Sequence, residues 1–222
     1  MRLGPLVGYA AKYEEGKHWV GDEYANCAKL ESHILALNYW CIQLGKKILT
    51  DLPCQAPLLC GLPEGGKAIA ELLALHWGKQ WIYAEKKVTA PARPGEREVS
   101  ELIWGRHSPQ AGDRVLLVED VLNNASTTIE AIRLVGRAGA DVVGLACLLN
   151  RSPTFNNVLM YTRLGFNVEH YIRIIALEMR VIPEYHQDDP CVQADVAAGN
   201  VIWKPKLRTE WAKLEEAMAA HP

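Results

Sequence analysis

The spacing of apolar positions changes along the chain, and those changes predict the order of its elements. Between residues 28 and 50, Leu30, Ile34, Leu37, Cys41, Leu44 and Ile48 recur mostly three or four apart. That spacing makes one face of a long helix, which Pro53 closes. Pro57 to Cys60 predicts a short buried strand, Gly61 to Gly66 a glycine-bearing turn, and Ala68 to Leu73 a helix that Gly78 ends. Trp81 to Ala84 predicts a second strand. Residues 88 to about 112 then break the pattern with Pro91, Pro94, Gly95, Gly105, Pro109 and Gly112. A connection that long inside a compact domain reads as a lid or ligand-binding excursion, with Val99 to Trp104 a candidate β-ribbon.

Regular order returns with the all-apolar run Arg114 to Val118, typical of a strand covered on both faces. A helix through Ile129 to Val135 and a strand from Asp141 to Leu149 follow. Strand, helix, strand in this rhythm predicts right-handed βαβ units and a parallel sheet. Tyr171 to Ala176 reads as a strand or short helix, and Thr209 to Ala220 as an amphipathic helix.

Composition narrows the function classes. The chain has 222 residues, 49% of them hydrophobic, with a formal net charge of −2. No global positive field recruits nucleic acid or an anionic membrane. No run approaches the roughly 20 apolar residues that span a bilayer, and the N-terminus lacks a signal-peptide core. The six cysteines show neither C-x-x-C spacing nor a Cys/His metal pattern, which fits a reducing cytoplasm and predicts no dedicated metal site. A small-molecule ligand is the expectation.

The segment Arg114 to Thr128 carries the most chemistry. A buried strand ends in two acids, Glu119 and Asp120, and after Val121 and Leu122 the small polar loop Asn123-Asn-Ala-Ser-Thr-Thr128 opens a helix. Ligands of open α/β sheets bind outside the carboxyl ends of the strands. First-turn helix amides and three hydroxyls suit a phosphate, and paired carboxylates suit sugar hydroxyls; together they suggest a ribose 5-phosphate. A generic α/β strand ending in acids is the competing reading.

This segment resembles the phosphoribosyl pyrophosphate motif of type I phosphoribosyltransferases, with Asn123 and Asn124 in place of paired threonines and Ala125 in place of the loop glycine. By that resemblance Glu119 and Asp120 grip the ribose hydroxyls, and Asn123, Asn124, Ala125, Ser126, Thr127 and Thr128 cradle the 5-phosphate. Cys60 to Gly66 resembles the pyrophosphate loop of the orotate branch, which implies contacts from Gly61, Leu62, Glu64, Gly65 and Gly66. Tyr83-Ala-Glu-Lys-Lys87 resembles the run before that branch's mobile catalytic loop, with Lys86 and Lys87 the pyrophosphate-binding lysines. The loop's own Lys, Asp and His are replaced by Thr89, Ala90 and Pro91; Arg93, Arg97, Arg106 and His107 are candidate substitutes. Asn150-Arg151 resembles an Asp-Arg pair whose arginine contacts orotate, and Lys17 resembles a residue over the base pocket.

The resemblance implies an α/β fold with an open parallel sheet flanked by helices. It further implies a single domain over 1–222, with a core of about 55–151 and a hood of about 1–50 and 152–222. The implied activity joins a nucleobase, most closely orotate, to phosphoribosyl pyrophosphate with Mg²⁺, in a cytoplasmic homodimer. A non-catalytic phosphoribosyl pyrophosphate sensor is the alternative. Asp188 and Asp189 are noted as an acidic pair in the tail.

Overall fold

The structure is a computed structural model that describes residues 4–14, 16–52, 57–90, 99–162, 169–205 and 207–219. In chain order its elements are β1 (Leu6–Glu14), β2 (Lys17–Gly21), α1 (Cys27–Glu31), α2 (Ile34–Asp51), β3 (Leu58–Gly61), α3 (Gly66–Trp77), β4 (Trp81–Ala90) and β5 (Val99–Trp104). There follow β6 (Arg114–Leu122), α4 (Ser126–Arg137), β7 (Asp141–Asn150), β8 (Val158–Thr162), β9 (Glu169–Met179), α5 (Gln193–Ala197), β10 (Val201–Ile202) and α6 (Arg208–Ala219). They group into two compact units, Cys27–Val181 and the paired segments Met1–Asn26 and Ile182–Pro222.

The larger unit is built on a seven-stranded sheet of order β5-β4-β3-β6-β7-β9-β8. Its five inner strands are parallel, and β5 and β8 are antiparallel edges. A parallel sheet must be covered on both faces, and the alternation along each strand supplies two apolar surfaces. Val115, Leu117, Leu145 and Cys147 face one way, packing with Ala131, Ile132 and Val135 of α4. Leu116, Val118, Ala146 and Ile175 face the other, against Leu37, Cys41, Leu44 and Ile48 of α2 and Ile69 and Leu73 of α3. Since α3 and α4 cover opposite faces, β3 and β6 flank the point where the winding reverses, where open α/β sheets form a ligand crevice.

Two expectations need adjustment. The helix over 28–50 is two helices, because the Ser32 hydroxyl turns back to the Lys29 carbonyl (2.7 Å) and closes α1. Its apolar face accordingly begins at Leu37, and Ile34 is 56% exposed. Strand β6 runs on past its acids to Leu122 through ladder pairing with β7 as far as Asn150. The ribbon expected at Val99 to Trp104 is present as β5, paired with β4 from Ala84↔Trp104 to Ala90↔Val99. Within the larger unit α2 packs against the sheet and β9 continues the parallel ladder. Tyr171 to Ala176 is strand, not helix. Pro53, Arg93 and Arg97 lie outside the described residues.

The smaller unit carries a three-stranded sheet of order β10-β1-β2 around Leu6, Val20, Val192 and Val201. It is assembled from both ends of the chain, with β1 pairing parallel to β10.

Candidate functional site

At the carboxyl end of β3 the chain turns through Gly61 to Gly66 directly against β6. The Leu62 N–H donates to the Val118 carbonyl (2.9 Å), and Gly66 N–H to the Leu62 carbonyl (3.0 Å). The approach is close enough to require glycine. A Cβ on Gly66 would overlap the Val118 carbonyl oxygen, and one on Gly65 would stand 2.8 Å from Asp120 Cβ and overlap its carboxylate. Gly61 is similarly pressed, with Lys67 Cα 2.6 Å from where its Cβ would be. The loop backbone and the Asp120 carboxylate thus share one wall.

The two acids follow each other on β6, with their carboxyl groups within hydrogen-bonding reach of one another. Asp120 turns toward the glycine loop, and its Oδ1 accepts the Val121 N–H (2.8 Å). Glu119 is on the face of Leu117 and stands opposite Cys147 in the ladder. Its Oε2 is buried with no hydrogen-bond partner among the described residues. Burial pushes the Glu119 carboxyl well above the usual carboxylate range, the Asp120 charge adds to this, and the Lys86 ammonium opposes it. A buried acceptor left open at a strand end is costly unless something fills it, so a hydroxyl-bearing ligand or a cation would complete it. Cys27 and Cys147 flank the acids, and burial together with both carboxylates raises each thiol to about 12. They behave as inert small hydrophobes.

Lys86 and Lys87 follow each other on exposed β4, so their side chains leave opposite faces of the ribbon. Lys86 continues the Ile82–Ala84 row, the face that also carries Glu119, and is the lysine that acts electrostatically on it. Lys87 continues the row of Tyr83 and Glu85. Across the ribbon Lys86 pairs with Leu102, whose N–H donates to Glu130 Oε1 of α4 (2.6 Å). This bond ties the edge strand to the helix behind the loop at 123–128; Glu130 looks in sequence like an ordinary solvated helix residue.

That loop enters α4 through Ala125 at φ 57°, a left-handed conformation. The Asn124 Oδ1 accepts from the Ser126 N–H (3.2 Å) and hydroxyl (2.9 Å). The first-turn amides of Ser126, Thr127 and Thr128 have no acceptor within the helix and present partial positive charge outward. Thr128 is buried, while Asn124 and Ser126 are exposed. At the end of β7, Asn150 is 3% exposed and its amide donates to the carbonyls of Phe155 (2.7 Å) and Asn156 (2.8 Å). Its Oδ1 accepts the Ser152 N–H (3.0 Å). Arg151, 7% exposed, bonds through its N–H to the Leu122 carbonyl (2.9 Å), which brings it beside the end of β6.

Other predicted residues fall elsewhere. Arg106 and His107 follow β5, which runs antiparallel to β4, so they emerge at the amino ends of the parallel strands. There His107 lines a cavity of about 490 Å³ with Leu58 and Trp81. They cannot replace the missing loop cations. Lys17 belongs to the smaller unit, where it pairs with Glu14 (2.9 Å) and Asp188 (3.3 Å). Asp189 caps a turn at the Cys191 N–H (3.0 Å), so the Asp188–Asp189 pair has protein partners. Lys67, not singled out from sequence, stands in the loop wall: its Nζ donates to Glu64 Oε2 (2.9 Å) and lies 5.4 Å from the Tyr83 ring centroid. A lysine directly after a Gly-Gly helix start was the available signal.

Comparison with known proteins agrees with this geometry. The profile of the phosphoribosyl transferase domain matches residues 22–179. An adenine phosphoribosyltransferase of Rhodospirillum rubrum is 28% identical over 51% of this chain and 70% of its own length. An orotate phosphoribosyltransferase of a Nocardioides species is 30% identical over 50% of this chain and 58% of its own. A xanthine phosphoribosyltransferase of Geobacillus thermodenitrificans is matched over 47% of its length, so the chain spans only about half of several such relatives. Among solved structures, the Aeropyrum pernix orotate phosphoribosyltransferase superposes with a TM-score of 0.55 at 17% identity, covering 80% of this chain and 89% of that one. The adenine phosphoribosyltransferase of Thermoanaerobacter pseudethanolicus gives 0.52 at 20% identity, over 70% and 87%. Purine and pyrimidine relatives match about equally well. The profile covers well over half of the sequence, and the chain belongs to the phosphoribosyl transferase domain family.

Proposed function

We propose that the chain transfers the phosphoribosyl group of phosphoribosyl pyrophosphate to a nucleobase, with orotate the favoured base. The observation that carries this reading is the shared wall at the end of β6. Two carboxylates, one with a buried open oxygen, stand between a glycine loop seated on Val118 and the amide-lined start of α4. Glu119 and Asp120 take the ribose hydroxyls, residues 123–128 the 5-phosphate, and Gly61, Leu62, Glu64, Gly65 and Gly66 the diphosphate, with Lys86 and Lys87 from the ribbon. The bond from the anomeric carbon to the diphosphate oxygen breaks as a base nitrogen bonds to that carbon. Positive charge develops on the ribose ring, and the carboxylates stabilise it. Lys86 offsets the negative charge left on the diphosphate, and loop closure over the ribbon excludes water.

Magnesium, a hard cation that favours oxygen ligands, would be held here largely by substrate oxygens and water, and Asp120 and Glu119 would be the carboxylates available to it. It would supply charge neutralisation of the leaving group. Orotate is favoured over purines because Asn150-Arg151 resembles the Asp-Arg pair whose arginine contacts orotate, and its backbone is tied beside the end of β6. No helix among the described residues is long and apolar enough to cross a membrane, and we place the protein in the cytoplasm as a homodimer acting on small molecules.

One feature favours the sensor reading: Thr89, Ala90 and Pro91 stand where a catalytic loop would carry lysine and histidine. Pyrophosphate release from Mg²⁺-phosphoribosyl pyrophosphate, with orotate, uracil, adenine, guanine and hypoxanthine supplied separately, decides between the two. Turnover with orotate supports the transferase as stated, and turnover with a purine alone overturns the orotate assignment. Absence of turnover with retained binding selects the sensor.

A further inference from the structure

Strand β5 closes one edge of the seven-stranded sheet, and an edge strand turns every second N–H away from its neighbour. The Gly105 N–H donates to the Tyr83 carbonyl (3.0 Å), so Tyr83 and Gly105 oppose each other as a hydrogen-bonded pair. The alternation of an antiparallel ladder then makes Lys86↔Leu102 a non-hydrogen-bonded pair. The Leu102 N–H points off the sheet, where water is the usual partner. Here it is taken instead by Glu130 Oε1 of α4, at 2.6 Å. The Leu102 side chain, 2% exposed, is held as well. It belongs to the cluster that contains Leu122 and Ala125, the residues on either side of Asn123 and Asn124. Leu102 is thus fixed by backbone and side chain to the start of α4. Its cross-strand partner Lys86 is exposed, and its ammonium acts on Glu119.

We infer that Glu130 is a positioning residue for Lys86, acting through Leu102. Residues facing each other in such a pair share one side of the sheet, with Cβ atoms about 4.5–5.5 Å apart. The Leu102 side chain therefore lies alongside the Lys86 stem. An exposed lysine has large rotamer freedom, and a fixed neighbour against its stem removes part of it. Glu130 fixes that neighbour from α4, the helix whose first turn is the proposed 5-phosphate cradle. The bond therefore sets the spacing between the two ends of the ligand site, the cradle at one end and the diphosphate lysine at the other. This role needs an acceptor oxygen on a side chain of this length and does not need its charge. The inference rests on the reading of Lys86 as a diphosphate-binding lysine, and it adds a residue that itself touches no substrate.

The test is calorimetric titration of Mg²⁺-pyrophosphate and, separately, of ribose 5-phosphate into the full chain. Wild type is compared with Glu130→Ala, Glu130→Gln, Lys86→Met, and Lys86→Met combined with Glu130→Ala. Glu130→Ala should weaken pyrophosphate about two- to tenfold, the worth of ordering one long side chain, and leave ribose 5-phosphate unchanged. Glu130→Gln should bind both as wild type does. With Lys86→Met in place, Glu130→Ala should weaken pyrophosphate no further, because the two residues act through one path. Hydrogen exchange of the wild-type Leu102 amide gives a second reading that holds even where Glu130→Ala fails to fold. That outward N–H should be as protected as the ladder amides beside it. Equal loss of both ligands, a loss that persists with Lys86→Met, a glutamine variant as weak as the alanine one, or a freely exchanging Leu102 amide would each overturn the inference. A wild type that takes up no pyrophosphate would refute the reading of the site itself, and this inference with it.

Discussion

Replacing Gly66 by alanine probes the contact on which the site is built. The added methyl group would overlap the Val118 carbonyl oxygen, a backbone atom held in the central ladder. That oxygen also accepts the Leu62 N–H at 2.9 Å. The strand cannot retreat, so the loop must. Forcing one methyl into a filled space costs about 1–3 kcal/mol, and loosening the Leu62 bond adds about 1 kcal/mol. Against this, alanine restricts the unfolded chain and returns about 0.4–1 kcal/mol. The net loss is therefore roughly 1–3 kcal/mol. For a chain of this size that lowers the melting temperature by about 4–8 °C at the middle of the range. Gly136→Ala is the contrast. It lies in α4 with nothing within 4 Å of its new Cβ, so it should stabilise by about 0.5–1 kcal/mol through helix propensity. Calorimetric melting of both variants, with titration of phosphoribosyl pyrophosphate, reads the two effects separately. Gly66→Ala should also weaken the ligand at least tenfold, about 1.4 kcal/mol. A Gly66→Ala protein that melts with wild type and binds the ligand equally well would refute the close-approach argument.

Three further outcomes are expected. Because burial raises the Glu119 carboxyl above its unfolded value near 4.5, the folded chain holds that proton more tightly than the unfolded chain. Stability from this group is thus full below pH 4.5 and is lost as pH rises through the folded value. Glu119→Gln removes that loss, so in urea titrations its advantage over wild type should grow with pH; an advantage that shrinks as pH rises would contradict the buried geometry. Asn150→Asp cannot donate to the Phe155 and Asn156 carbonyls and should cost about 2–4 kcal/mol, read as a lower urea midpoint; an unchanged midpoint would show that the amide does not hold the turn. Glu130→Ala frees the edge N–H of Leu102 opposite Lys86 and should lower stability by about 1–3 kcal/mol, whereas Glu130→Gln, still an acceptor, should restore most of it; equal losses in both would argue against the hydrogen bond.

The parts of the fold legible in the sequence were those encoded by local pattern. The apolar run before Glu119, the Gly-Gly turn and the amphipathic helix after Ala125 each follow from neighbours in the chain, and the parallel sheet follows from their order. What was not legible depends on partners far away. Ser32 breaks the first helix with a single side-chain bond that competes with the helical one. Strands β8 and β9 pair at an edge, where one face stays exposed at Met160 and Tyr171 and the alternation is weak. The acid pair was visible as composition, but its surroundings, the glycine loop against Asp120 and Lys86 near Glu119, depend on segments far off in the chain. Arg106 and His107 appeared usable only while the ribbon's return direction was unknown. Lys67 and Glu130 owe their roles to Tyr83 and Leu102, which no short-range signal connects to them.

The most direct measurement is calorimetric titration of Mg²⁺-phosphoribosyl pyrophosphate into wild type and into the double variant Glu119→Gln with Asp120→Asn, after matching their circular dichroism. The site described predicts saturable binding to wild type and no detectable binding to a folded double variant. Equal affinity in the two proteins would contradict it.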